Sequence, residues 1–162
     1  MILLEQEIAS AMKFLIDAAG CPNPYYYNVP EDFFTPAVFF PQPEISTRGD
    51  TLSTFALEFR WYVKFFDKDS QSAQHTAIRV LAALQEKRCV VPLIDENGSL
   101  TGRGFRMKDP SMRLVDEGAV QINLSWDSPR PYHSPPKQII SINHVNLMLR
   151  SAYDGAVSQI GG

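Results

Sequence analysis

The sequence has few of the residues that build metal sites, disulfide frameworks or covalent active sites. It contains two cysteines, Cys21 and Cys89, and three histidines in 162 residues. So few cysteines do not make a disulfide framework, and we expect reduced thiols, with a single bridge as the alternative. The cysteines form no C-x-x-C pair, and the histidines are scattered at positions 75, 133 and 144. The sequence therefore predicts no metal site and no cofactor.

Long apolar runs and an excess of positive charge are also missing. No segment reaches the roughly 18 uncharged apolar residues of a membrane span. The apolar start of the chain contains Glu5 and Glu7 and has no basic region before it, so we expect no signal peptide and folding in a cytoplasm. The net charge of −3 argues against non-specific binding to nucleic acid or to acidic membranes.

The sequence also lacks the common motifs of catalytic and phosphate-binding sites. There is no G-x-S-x-G elbow, and the glycine-rich stretch 98–104 lacks the G-K-[ST] ending of a phosphate loop. The acidic pairs Asp95-Glu96 and Asp116-Glu117 stand at predicted tight turns, where acids are favoured for backbone reasons. The sequence therefore predicts a protein that is not an enzyme.

The clearest positive signal is the stretch Phe55–Phe66, which alternates apolar and polar or charged side chains. Because side chains on a strand point to opposite faces with a period of two, this pattern predicts a half-buried strand. The apolar set is Phe55, Leu57, Phe59, Trp61, Val63 and Phe65. The opposite set includes Glu58, Arg60, Tyr62 and Lys64.

Two helices are predicted around this strand. Residues 1–19 carry an apolar stripe at helical spacing and end at Gly20 and Pro22, and the stripe packs either on its own sheet or on a partner. Residues 70–87 form the second helix, preceded by the N-cap residues Asp67 and Asp69. Its predicted buried stripe is Ala73, Ala77, Val80, Leu81 and Leu84.

Shorter strands complete the predicted sheet. Residues 37–48 contain Pro41 and Pro43, which lack a donor for the strand ladder, so we expect an edge strand. Further strands are predicted over 89–94, 100–107, 112–115 and 119–126, with a type I′ turn at Asn97-Gly98. The predicted fold class is α/β of the α+β kind. It has a mostly antiparallel or mixed sheet of about four to five strands, packed by the N-terminal helix and one central helix.

Two segments leave more than one interpretation open. The aromatic connection 21–37 forms either an exposed interaction surface or an extended segment that its rings fix to the domain. The proline-rich run that follows Asp127 predicts an extended linker. We expect a domain over 1–132 and a C-terminal arm over 133–162, in which an added strand is favoured over a helix. The arm either reaches a neighbouring subunit or packs on its own domain.

Taken together, this order of elements resembles the tail terminator, or tail completion, proteins of tailed bacteriophages and phage-tail-like particles. The resemblance covers about residues 1–130. It is carried by the segments 38–43, 55–63, 73–84, 102–104, 116–118 and 122–126.

The resemblance implies a structural virion protein without catalysis or cofactor. It would cap the end of a tail tube farthest from the host as a hexameric ring, end tube polymerisation and form the head–tail joining surface. Its partners would be its own copies, the tail tube protein, a head–tail connector or stopper protein and, in a contractile tail, the sheath. DNA would pass through the lumen without specific binding. Assembly would take place in the cytoplasm of the host bacterium. The alternatives are another connector, stopper or tail structural protein, and a small cytoplasmic enzyme or binding domain.

If the ring interpretation holds, contacts with neighbouring subunits or with the tube are predicted at charged residues on the strands and turns. These candidates are Arg48, Asp50, Glu58, Arg60, Lys64, Asp95, Glu96, Arg103 and Arg106.

Overall fold

The computed structural model describes residues 4–20 and 23–133. A compact unit spans Met1–Arg130 and a second unit spans Pro131–Gly162. The elements described below belong to the first unit, apart from the last residue of the final strand. Cys21 and, except for His133, the predicted C-terminal arm lie outside the described residues.

Two helices form where the apolar spacing predicts them. Helix α1 is Leu4–Ala19 and helix α2 is Ser70–Glu86. Gly20 follows α1 with a φ of 61°, the left-handed conformation that commonly ends helices. At the start of α2 the Asp69 carboxylate accepts a hydrogen bond from the Ser72 backbone N–H at 2.7 Å. This bond to the helix N-terminus lowers the pKa of Asp69.

The described residues form one large and one small sheet. The large sheet contains β1 (Asn23–Tyr26), β2 (Ala37–Phe40), β3 (Glu44–Gly49), β4 (Thr54–Phe66), β7 (Ser111–Asp116) and β8 (Ala119–Pro131). The small sheet is the antiparallel hairpin of β5 (Val90–Ile94) and β6 (Leu100–Arg106).

The strand order in the large sheet is β1-β2-β4-β8-β7, and β3 also pairs with β4. The β1–β2 pair is parallel, whereas β2 and β3 both run antiparallel to β4, and β7 runs antiparallel to β8. The predicted α+β class with a mixed sheet is therefore confirmed. The predicted number of strands was too low, because six strands form the large sheet and two more form the hairpin.

Strand β4 is the centre of this arrangement. One of its edges pairs first with β3 and then, near its end, with β2. Its other edge pairs with β8. The break between β2 and β3 contains Pro41 and Pro43, and the indole Nε1 of Trp61 donates a hydrogen bond to the Pro41 carbonyl at 2.6 Å. A buried β4 side chain thus fixes the point where the neighbouring strand is interrupted.

The predicted alternation of β4 is confirmed from its middle to its end. Phe59, Trp61, Val63 and Phe65 are buried, whereas Phe55 and Leu57 are only partly buried. The Phe59 ring stacks on Trp126 of β8 with a centroid distance of 4.7 Å and an interplanar angle of 2°. Both helices contribute to the same core, chiefly through Ala11, Leu15, Ala73, Ala77, Val80 and Leu84.

One carboxyl group lies inside this core. Glu7 of α1 is only 3% exposed. It accepts hydrogen bonds from the Trp126 indole Nε1 at 3.1 Å and from the Ser128 hydroxyl at 2.9 Å. A buried polar group is costly unless it is hydrogen-bonded, and these two bonds satisfy the Glu7 carboxyl group. They also join α1 to the second half of β8.

Two expectations about the strands are wrong. The segment 37–48 is not one edge strand, because β2 lies between β1 and β4 and only β3 has an open side. The prolines fall in the break between the two strands, so the ladder loses no donor. The run from Asp127 to Pro131 is not a linker, because it continues β8.

The predicted type I′ turn of the β5–β6 hairpin is also wrong. That turn requires positive φ at both central residues, but Gly98 has a φ of 80° and Asn97 is not among the residues with positive φ. The Gly98 N–H instead donates to the Asp95 carbonyl at 3.0 Å. Glycine therefore occupies the fourth position of the turn.

Candidate assembly surfaces

The described part of the chain offers no converging set of reactive groups. It contains no group of three or more His, Cys, Asp or Glu side chains that could hold a metal ion. None of its helices has the length and apolar character needed to cross a membrane. A cavity of about 620 Å³ lies between α1 and the β5–β6 turn. Its Asp95 carboxylate accepts hydrogen bonds from the Asn97 and Ser99 backbone N–H groups, both at 2.9 Å, so this acid shapes the turn.

The polar side chains of the large sheet share the face that points away from the helices, which we call the polar face. On β4 it contains Glu58, Arg60, Tyr62 and Lys64, and on β8 it contains Gln121, Asn123, Ser125 and Asp127. The β3–β4 register adds Glu44, Ser46 and Arg48. The polar face is therefore built from alternate residues of three neighbouring strands.

Arg48 is the centre of an ion-pair network on the polar face. Its guanidinium lies 2.5 Å from a Glu58 oxygen, 2.9 Å from Asp127 and 3.4 Å from Asp50. Lys108 also pairs with Asp127. Hydrogen bonds to Asp127 and then to Glu58 raise the pKa of Arg48. Partial burial alone would raise the pKa of Asp127, but the bonds from Lys108 and Arg48 outweigh it and lower that pKa.

Two predicted cations lie further along the polar face. Arg60 is directly opposite Glu44 in the β3–β4 register. Lys64 lines a recess of about 510 Å³ together with Tyr62 and Arg113. Neither Arg60 nor Lys64 has an ion-pair partner within 4 Å among the described residues. Glu44 lines the same recess, so this half of the face has one carboxylate beside three cations and carries an excess of positive charge.

The remaining predicted residues belong to the β5–β6 hairpin. Glu96 and Arg103 are exposed, and Arg106 is exposed at the base of the hairpin. Leu100 at the start of β6 is 71% exposed. Val91 and Leu93 of β5, in contrast, are buried, and within the hairpin an added Cβ at Gly104 would lie 2.9 Å from the Val91 carbonyl oxygen. The hairpin is thus well packed on one side and presents charged and apolar groups on the other.

The nine predicted residues therefore fall into two groups on different sheets. Arg48, Asp50 and Glu58 are in direct contact, and Arg60 and Lys64 share their face. The other four, Asp95, Glu96, Arg103 and Arg106, belong to the hairpin and its turn. Their role in contacts with other subunits stays a prediction.

Comparison with known proteins identifies the family. No protein-family model matches the chain. The phage-like element PBSX protein XkdJ of Bacillus subtilis (strain 168) is 31% identical over 137 residues, which cover 85% of this chain and 93% of XkdJ. The chain belongs to the XkdJ family. This result confirms the relationship to proteins of phages and phage-like elements that the sequence suggested.

Two further similarities accompany the match to XkdJ. The uncharacterized protein YqbJ of the same strain is 33% identical over 125 residues, covering 77% of this chain and 85% of YqbJ. A chain from the virion of a native gene transfer agent particle superposes with a TM-score of 0.44 and 14% identity. That superposition covers 78% of this chain and 92% of the other.

Sequence reasoning missed two members of the network in this XkdJ-family chain. The predicted strand 119–126 ends one residue before Asp127, and the predicted strand 100–107 ends one residue before Lys108. A signal for Asp127 was present, because it continues the period-two series Gln121, Asn123 and Ser125 on the polar face of β8. Lys108 stands outside any strand, so its pairing with Asp127 depends on tertiary structure alone.

We predict that Asp127→Asn lowers stability in a pH-dependent way. Because folding lowers the pKa of Asp127, its contribution is present above the unfolded-state pKa of about 3.9 and is lost as the pH falls through the folded-state pKa. Urea unfolding at pH 7 should show a loss of about 1 kcal/mol relative to the parent chain, given a partly exposed network. The difference should shrink below about pH 4.

The matched control is Asp17→Asn, which breaks the exposed 3.0 Å pair between Lys13 and Asp17 on α1. That pair is of the i,i+4 type and should contribute less than about 0.5 kcal/mol. An Asp127→Asn loss that is no larger than the control, or that stays constant from pH 7 to pH 3, would contradict the prediction.

Proposed function

We propose that the protein is a tail completion protein of a phage or phage-tail-like particle. In this proposal it forms a ring, with six copies as the expected number, on the end of the tail tube farthest from the host. The ring ends tube polymerisation and provides the surface that joins a head connector or stopper. The protein acts without catalysis or cofactor and resides in the virion at the head–tail interface.

The relationship to XkdJ carries this proposal. XkdJ is named as a protein of a phage-like element, and the match covers 93% of it. The chain therefore aligns with nearly the whole length of its relative. The terminator role itself is supported by the order of these elements, which resembles tail terminator proteins.

The two candidate surfaces suit a subunit of an assembly. The polar face presents Arg60 and Lys64 without ion-pair partners among the described residues, and the hairpin presents Arg103 and Leu100. Groups of this kind gain from contact with a complementary neighbour. The overall charge of −3 also suits a channel through which DNA moves without being held, because cationic contacts to phosphate retain DNA.

Tail length after disruption of the gene tests the proposal directly. Without a terminator, tube polymerisation continues, so electron micrographs of induced cells should show tubes of variable length that exceed the parental length. Expression of the protein from a plasmid should restore a single length. Tails of parental length that fail to join heads would instead assign the protein to a connector or stopper role. Intact particles of normal number would contradict any essential role in the tail.

A further inference from the structure

Among the described residues the large sheet has three open strand edges, β1 and β3 on one side and β7 on the other. In that part of the chain β3 pairs with β4 alone and β7 pairs with β8 alone. All six residues of β3 are exposed, and β7 is exposed except at Met112, which is partly buried. Unpaired strand edges present free N–H and C=O groups and are ready templates for another strand. The third open edge, β1, has four residues and contains Pro24, which cannot donate to a ladder.

The directions of the two edges are opposite. The Asp67 N–H donates to the Gly118 carbonyl at 2.9 Å, and Phe59 stacks on Trp126. The first contact joins the end of β4 to the start of β8. The second joins an earlier residue of β4 to a later residue of β8, so the two strands are antiparallel. Because β3 is antiparallel to β4 and β7 is antiparallel to β8, β3 and β7 run in opposite directions. The registers also place β3 beside the first half of β4, whereas β7 is level with its last residues. Two copies placed side by side, one of them displaced along the strands by about six residues or roughly 20 Å, would therefore bring β7 of one copy antiparallel to β3 of the next.

The side chains of β3 and β7 are also complementary on each side of the sheet. On the helix side of the sheet, Ile45 of β3 is 52% exposed and Leu114 of β7 is 60% exposed. If these two residues are placed opposite each other, Ser46 faces Arg113 on the polar side. Glu44 then lies diagonal to Arg113. Apolar pairs and opposite charges at such positions stabilise a pair of strands.

We propose that copies of this chain join head to tail by antiparallel pairing of β3 with β7 of the next copy, with Ile45 opposite Leu114. This inference rests on the proposed ring, and it specifies how the ring is built. A contact between two different surfaces of the same chain is heterologous, and it closes into a ring when the rotation between copies permits. Each copy uses both edges, so a closed ring leaves neither β3 nor β7 unpaired. Pairing of β7 with a second β7 would instead bring two copies of Arg113 together.

Disulfide trapping with Ile45→Cys and Leu114→Cys tests the pairing. Within one chain the two positions are separated by three strand spacings and by about six residues along the strands, roughly 24 Å in all, which is too far for a disulfide. The double variant, oxidised alone and beside purified tail tubes, should give a ladder of covalent oligomers on a denaturing gel. A mixture of the two single variants should stop at the dimer. Ile78→Cys with Leu114→Cys is the matched control, because Ile78 is half exposed on α2, and it should give no ladder.

The outcomes separate this inference from the proposed function. Mass photometry that shows rings, combined with a double variant that gives no ladder, would overturn the pairing and leave the ring standing. All variants carry Cys21→Ser and Cys89→Ser, so that no native thiol competes. A covalent dimer from Ile45→Cys alone in this background would also overturn the pairing, because that product requires β3 to face β3. Monomers under every condition, including with tail tubes present, would overturn the ring and the pairing together. A parent-like circular dichroism spectrum and melting temperature for each variant would show that the fold is retained.

Discussion

Trp126→Ala should destabilise the domain by about 3–5 kcal/mol, the range typical of a large aromatic residue removed from a core. Trp126 has no exposed surface and contacts three aromatic rings. Its indole N–H also donates to Glu7, so the substitution leaves a buried carboxyl oxygen without that partner. A loss of this size is a large fraction of the 5–15 kcal/mol that stabilises an ordinary domain. Urea unfolding followed by circular dichroism measures it.

Two variants separate the causes of that loss. Trp126→Phe keeps an aromatic ring in the stack but removes the hydrogen bond to Glu7 and part of the indole volume, so it should cost about 1–3 kcal/mol, less than Trp126→Ala. Leu52→Ala removes a large apolar side chain that is fully exposed at the β3–β4 turn, and its effect should stay within about 0.5 kcal/mol. A Trp126→Ala loss below about 1 kcal/mol would show that this stack of rings does not hold the sheet together.

Reversing the two hairpin arginines should impair docking of the ring and leave the monomer folded. Both Arg103 and Arg106 are exposed, so Glu at these positions should change the melting temperature little. If the hairpin contacts the tube or a neighbouring copy, the two reversals should weaken that contact at least about tenfold, because like charges brought together at an interface are costly. Complementation of a disrupted gene, with tail lengths measured in micrographs, is the test.

The same change in net charge placed elsewhere provides the control for this double reversal. Lys68 and Lys87 are exposed at the two ends of α2, and Lys68→Glu with Lys87→Glu should support parental tail lengths. Parental lengths with the Arg103 and Arg106 reversals would remove the hairpin from the set of contact surfaces. Equal defects from both double variants would indicate an effect of overall charge.

The core could be predicted from the sequence because its signal is local. Alternation in Phe59, Trp61 and Val63 specifies which face of β4 is buried, and the helical spacing of Ala73, Ala77 and Val80 specifies the face that packs against the core. These periods follow from backbone geometry alone. The same periodicity placed Glu58, Arg60 and Lys64 on one face of the strand, whereas Arg48 joins them only through the β3–β4 register.

The wrong or missing predictions concern strands and ion pairs whose partners are distant in the sequence. Strand β1 was missed because Asn23-Pro24 is typical of a loop, and only its parallel neighbour β2 makes it a strand. The end of β8 was assigned to a linker because of Pro129 and Pro131. The β7–β8 pairing ends at Asn123. Pro129 and Pro131 lie beyond it, so their missing N–H groups cost no hydrogen bond to β7. The network around Asp127 joins residues up to 79 positions apart, a separation that no local pattern reports.

The division of β4 into two faces affects which substitutions the protein can accept during evolution. Phe59, Trp61, Val63 and Phe65 are enclosed, whereas the side chains between them lie on the polar face. A substitution at Arg60 or Lys64 therefore leaves the packing beneath untouched, and a substitution at Trp61 leaves the polar face chemically the same. If the polar face contacts a partner, as proposed, related proteins can change that contact by altering every second residue of a single strand. The fold beneath would be inherited unchanged.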